Sequence, residues 1–268
     1  LDATRWARFR SVDGRSGFGV FEESHILEYD GDLFGSPQPT GARIAHGSYT
    51  LLSPCAPSKI IALWNNFHAL AQKLGKQAPT HPLFLIKPAT SVIGPNDSIR
   101  RPTGYSGKIA FEGELGVVIR RRCKDVPVDQ AAEYVFGYTC VNDVTAAEVL
   151  NENSDFAQWC RSKGYDTFGC LGPVIVTAVN WPRASVTTKV DGTVRQNYPL
   201  SDMIMSPLEL VSRISHDMTL SAGDVIACGT SLGVGSIKDG ATVEVTIDGI
   251  GSLTNALAPA SGRGAAGA

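Results

Sequence analysis

Phe111-Glu112-Gly113-Glu114-Leu115-Gly116-Val117-Val118-Ile119 is the stretch on which the reading of this chain turns. Its apolar residues alternate and its composition is β-forming, so it predicts a strand. Leu115, Val117 and Ile119 then face a core, and Glu112 and Glu114 point together to the other side. Residues two apart on a strand lie about 6.6 Å apart, close enough for two carboxylates to meet at one ion. Two like charges side by side are costly unless a cation or a proton offsets them. The alternative is a solvated strand face with both glutamates in water.

A second apolar strand follows at Tyr134-Val135-Phe136-Gly137-Tyr138-Thr139-Cys140-Val141 and ends in Asn142-Asp143. Asp143 reads either as the N-cap of a helix over Val144 to Leu150 or as a third carboxylate beside the first two. Three carboxylates and water suit a hard cation such as Mg²⁺ or Mn²⁺. No histidine pair or cysteine cluster with zinc spacing occurs.

Around this centre the chain is predominantly strand. Lys59-Ile60-Ile61-Ala62-Leu63-Trp64 predicts a buried strand, and Asn66 a cap for a short helix through Leu74 closed by Gly75. Val243, Val245 and Ile247 alternate with Thr242, Glu244 and Thr246, as on a half-buried strand. Asp30-Gly31, Asp191-Gly192 and Asp248-Gly249 are hairpin signals. The clearest helix opens at Ser206-Pro207-Leu208-Glu209, a capping box with proline in the first helical position. The fold class is mostly β (α+β). The expected organisation is a small β-rich unit over residues 1–57, a catalytic domain over 58–257, and a flexible tail over 258–268.

Composition narrows the function. The 268 residues are 43% hydrophobic and 19% charged, with a net charge of −2. That is ample for a full core and gives no electrostatic footprint for nucleic acid. No apolar run approaches the ~20 residues that span a membrane, and Leu1 to Arg10 show no signal core. The six cysteines are scattered and read as reduced thiols, which points to the cytoplasm. Gly229-Thr230-Ser231-Leu232-Gly233-Val234-Gly235 lacks the Lys-Ser/Thr ending of a phosphate loop and is read as a bend between strands.

From Leu83 onward the chain resembles the fumarylacetoacetate hydrolase family. The resemblance is carried by Leu83-Phe84-Leu85-Ile86-Lys87-Pro88, Glu112-Gly113-Glu114-Leu115, Gly137-Tyr138 with Asn142-Asp143, and Lys163-Gly164-Tyr165-Asp166-Thr167. It continues through Leu171-Gly172-Pro173, Arg195-Gln196, Gly223-Asp224-Val225-Ile226, Gly229-Thr230 and Gly249-Ile250-Gly251. It implies a mixed β-roll with Glu112, Glu114 and Asp143 as ligands of Mg²⁺ or Mn²⁺. It also implies Lys163 and Thr167 beside the metal, Thr230, Gln196 and Lys87 as further substrate contacts, and a homodimer. The implied substrates are 2-oxo or 1,3-dioxo acids, as in aromatic catabolism, and the leading expectation is hydrolytic C–C cleavage. Decarboxylation or isomerisation, a ureido-acid lyase, and a retired binding protein are the alternatives.

The chain departs from the family pattern at two places. Members often carry N-Y-x-x-H with a glutamate three residues later, a pair that activates water. Here the run is Trp64-Asn65-Asn66-Phe67-His68-Ala69-Leu70-Ala71, so His68 is the remaining candidate base and Ala71 stands where its partner would be. Ala147 and Leu150 replace the Arg and Gln that often follow the metal-binding aspartate, which points to a more apolar pocket.

Overall fold

The computed structural model describes residues 3–22 and 24–259; most of the expected tail lies outside them. Strands dominate and helices are short, the longest running Pro207–Asp217. That helix starts as its sequence requires. Ser206 accepts a hydrogen bond from the Glu209 backbone N–H, and the Glu209 carboxylate accepts one from the Ser206 N–H in return. Leu210, Val211 and Ile214 are the face it buries.

A 12-stranded sheet forms the frame. At its centre Gly113–Ile119 pairs antiparallel with Val135–Asp143 on one side and Val225–Ala227 on the other. Lys59–Trp64 and Leu83–Pro88 follow outward. Four strand spacings, about 19 Å in a flat sheet, therefore separate Leu83–Pro88 from Val135–Asp143. Yet Lys87 Nζ lies 2.5 Å from Asp143 Oδ1. The sheet must curl on itself, and Val92–Ile93, just after Leu83–Pro88, pairs with Gly169–Val176 to help close the roll.

Curling gives each central strand two buried faces. Ile60, Ala62, Leu85, Val118, Val141, Leu171 and Val225 pack together as one cluster. Leu115, Val117 and Ile119 face the opposite way and join Val186, Val243, Val245 and Leu253 of a separate five-stranded sheet. All seven residues of Gly113–Ile119 are buried, so the solvated-face reading does not hold. The N-terminal strands extend the same frame, because Arg5–Ser11 pairs with Gly169–Val176 through Arg5 and Trp6.

Three local expectations change. The stretch 111–119 is not one strand: Ile109–Phe111 ends in a three-stranded sheet and Gly113–Ile119 begins in the large one, leaving Glu112 at the crossover. No helix follows Asp143; the chain continues as strand Thr145–Ala146 and the 3₁₀ turn Ala147–Asn151. Asn66 does not cap the helix His68–Lys73. Its side-chain amide donates instead to the carbonyls of Met205 and Cys228 at 3.1 and 2.9 Å, satisfying buried acceptors on two other segments. Asp191-Gly192 forms the expected tight hairpin, with φ of 47° and 76°.

Candidate metal centre

Antiparallel pairing brings the acidic residues together. Gly113 sits opposite Asn142, and Asp143 N–H donates to the Glu112 carbonyl at 2.9 Å. Glu112, Glu114 and Asp143 each offer an oxygen within 4.8 Å of the others. Glu114 and Asp143 are buried, and Glu112 keeps some access to solvent.

Each carboxylate is held differently. Asp143 receives two ammonium groups, Lys87 Nζ at 2.5 Å on Oδ1 and Lys163 Nζ at 2.7 Å on Oδ2. Burial acts to raise its pKa, but Lys163 and Lys87 outweigh it and hold the carboxyl below its usual range. Lys163 also reaches Glu112 Oε1 at 2.8 Å and Thr145 Oγ1 at 2.7 Å. Burial opposes its charge, yet Asp143 and Glu112 raise its pKa above the ordinary lysine value.

Glu114 has no such support. Its Oε2 accepts from the Gly229 N–H at 2.7 Å, while Oε1 is buried with no hydrogen-bond partner. Burial, then Asp143 and Glu112, push its pKa well above the usual carboxylate range. A buried, unpaired carboxylate oxygen facing two more carboxylates is expensive in isolation. A divalent cation removes that cost, and an all-oxygen donor set suits Mg²⁺ or Mn²⁺. The residues present fit the group.

The family description "Fumarylacetoacetate (FAA) hydrolase C-terminal" matches residues 59–258, and "Rv2993c-like, N-terminal" matches residues 4–54. The chain belongs to the fumarylacetoacetate hydrolase family. Protein Rv2993c of Mycobacterium tuberculosis is 42% identical over 250 residues, 92% of each chain. Oxaloacetate tautomerase YisK of Bacillus subtilis is 37% identical, covering 75% of this chain and 70% of its own. Among solved structures, a 2-hydroxyhepta-2,4-diene-1,7-dioate isomerase from Mycobacterium marinum superposes with a TM-score of 0.87 at 38% identity, over 96% of this chain and 99% of that one. A maleylpyruvate hydrolase from Sphingobium sp. SYK-6, in complex with manganese(II) and pyruvate, gives 0.76 at 27% identity over 95% and 99%. Isomerase, tautomerase and hydrolase names thus occur on one family fold.

The remaining expected site residues of this family member fall into three groups. Gln196 and Thr230 brace the acidic segment from below. Gln196 Oε1 accepts from the Gly113 N–H at 3.0 Å, its Nε2 donates to Thr230 Oγ1 at 2.8 Å, and Thr230 donates to the Gly113 carbonyl at 3.0 Å. Lys87 is fully buried behind Asp143, and Thr167 accepts from the Arg100 backbone N–H at 2.8 Å. Lys87 thus positions a carboxylate and Thr167 a loop. His68 opens its helix with an exposed side chain. Among the described residues no histidine–carboxylate pair lines the triad.

Two participants escape sequence reasoning. Tyr198 donates to the Gly113 carbonyl at 2.5 Å, and Thr145 donates to Glu112 Oε1 at 3.0 Å. A signal for Tyr198 exists: it shares a strand face with Gln196, two residues before it. Thr145 has only its place two residues after Asp143.

Proposed function

We propose that the chain is a divalent-metal-dependent enzyme acting on a small 2-oxo or 1,3-dioxo acid, by keto–enol tautomerisation or decarboxylation. Glu112, Glu114 and Asp143 would hold Mg²⁺ or Mn²⁺. Bound there, the ion would supply Lewis acidity to a carbonyl oxygen that gains negative charge, an effect worth several kcal/mol. Lys163 and Lys87 keep Asp143 ionised. With a divalent ion bound and all five groups ionised, three carboxylates, two ammoniums and the ion would sum to about +1, which favours an organic anion.

The observation that carries the reading is the unpartnered Glu114 Oε1 inside this triad. The choice of reaction is supported by His68, exposed and without a carboxylate partner, because hydrolysis needs a positioned base for water. Hydrolytic C–C cleavage is the second reading, favoured by the likeness to the maleylpyruvate hydrolase. A homodimer in the cytoplasm belongs to the same proposal. Support for that compartment comes from six free cysteines, five of them buried. Among the described residues no helix is long and apolar enough to cross a membrane.

The test is to give the Mn²⁺-loaded protein oxaloacetate and a series of acylpyruvates, following enol absorbance, CO₂ and released carboxylic acid. Metal-dependent enol interconversion or CO₂ release is expected. Release of the carboxylic acid half of an acylpyruvate would establish hydrolysis, and no turnover with any of them would sink the proposal.

A further inference from the structure

An apolar cleft of about 530 Å³ is lined by Trp64, Pro82, Leu83, Phe84, Leu85 and Trp159, on elements that also carry groups of the charged site. Three short links tie it to the charged groups. Trp159 begins the helix that ends in Lys163, and residues four apart on a helix share a face. Leu85 and Lys87 are two apart on one strand, both buried, and so point the same way. Trp64 leads into Asn66, whose amide holds the Cys228 carbonyl, and the next residue, Gly229, donates to Glu114.

The lining has one character. The Trp64 and Trp159 rings stand 5.5 Å apart at 53°. None of the six residues carries a charge or a side-chain amide. A volume of this size with aromatic walls, next to a few convergent polar groups, is how small-molecule sites are built. A second carboxylate would lose its hydration there with no cation to pair it and only the indole N–H groups of Trp64 and Trp159 as side-chain donors.

We propose that this cleft seats an apolar, preferably flat, tail of the substrate. The chain would then act on 2-oxo acids bearing an aryl or alkyl group, and would disfavour those whose tail, longer than that of oxaloacetate, carries a second carboxylate into the cleft. This rests on the triad as the seat of the metal and the 2-oxo acid head.

Calorimetric titration of the Mn²⁺-loaded protein with pyruvate, phenylpyruvate and 2-oxoglutarate tests it. Burying a phenyl ring should tighten phenylpyruvate about 30-fold over pyruvate, with 2-oxoglutarate no tighter than pyruvate. Trp64→Ala should cut the phenylpyruvate-to-pyruvate ratio below about five-fold. Leu83→Gln, at a position already 41% exposed and so safe for folding, should reduce it in the same direction. If Mn²⁺ or pyruvate fails to bind, the triad reading falls and takes this proposal with it. If pyruvate binds but phenylpyruvate is no tighter, or 2-oxoglutarate is favoured, the cleft proposal alone is overturned. It is equally overturned if both variants keep the ratio and change only the sedimentation coefficient, which would make the cleft an interface between copies.

Discussion

Lys163 sets its ammonium 2.7 Å from Oδ2 of Asp143, twenty residues back along the chain, and in doing so also spans to Glu112. One lysine therefore bridges two of the three converging carboxylates, and Lys87 adds a second charge at Asp143. The third, Glu114, is left for a cation. Lys163→Met should leave Glu112 without an ammonium and Asp143 with Lys87 alone, and cost about 3–5 kcal/mol in metal-free protein. Mn²⁺ should recover part of it, so the metal-induced rise in Tm should exceed that of the parent chain. A metal-free stability within 1 kcal/mol of the parent would contradict the ion pairs.

Glu114→Gln should weaken Mn²⁺ binding by at least about 100-fold, more than the loss of an outer partner does, yet raise the Tm of the chelated protein. The unpartnered oxygen that recommends Glu114 as a ligand is a liability without metal. The pH dependence carries the same sign. Burial raises the Glu114 pKa above its ordinary 4.5, so the metal-free fold prefers the protonated form. Its contribution is complete below that ordinary value and is lost as pH rises through the raised one. Chelated protein should lose stability upward across this window, and the glutamine variant should lose less. Parallel pH profiles would refute this.

Gly113 has no room for a side chain. A Cβ there would stand 2.1 Å from Thr188 Oγ1, while Tyr198, Thr230 and Gln196 all bind its peptide groups. Gly113→Ala should cost about 1–3 kcal/mol and loosen Mn²⁺. Thr188 Oγ1 is itself buried without a partner, so adding Thr188→Ala should restore part of both losses. Strict additivity in the double-mutant cycle would mean the two residues do not touch.

Asp224 is fully buried and accepts from the backbone N–H groups of Ser58, Lys59 and Ser221, the Ser58 hydroxyl and the Lys59 ammonium. It ties Lys59–Trp64 to Val225–Ala227 at their starts. Asp224→Ala should cost about 3–5 kcal/mol in urea unfolding but leave Mn²⁺ affinity within a factor of two to three. A large change in affinity would show that the fold transmits this defect to the triad.

Ser206→Ala should cost about 1 kcal/mol by removing the helix cap. The Ser206 N–H and hydroxyl hold the Glu209 carboxyl below its ordinary 4.5. That contribution is present above 4.5 and lost as pH falls through the lowered value, so the penalty should shrink in acid. An NMR titration of Glu209 reads the pKa directly, and an unshifted value would rule out the box.

Features set by neighbours in the chain were legible in residue order alone. The Ser206 capping box, the Asp191-Gly192 hairpin and the strand Lys59–Trp64 follow from periods and dihedral preferences that act over a few residues. The convergence of Glu112, Glu114 and Asp143 was half legible, because the E-x-E spacing is local while the register against Asn142 is not. Only the tertiary structure decided the rest. Curling of the sheet, which no local pattern encodes, carries Lys87 across four strands to Asp143 and buries both faces of Gly113–Ile119. Packing of the five-stranded sheet on the roll likewise turns Gln196 and Tyr198 into braces for Gly113, and Trp64 is set against Trp159, since those contacts exist only once distant strands share an interior.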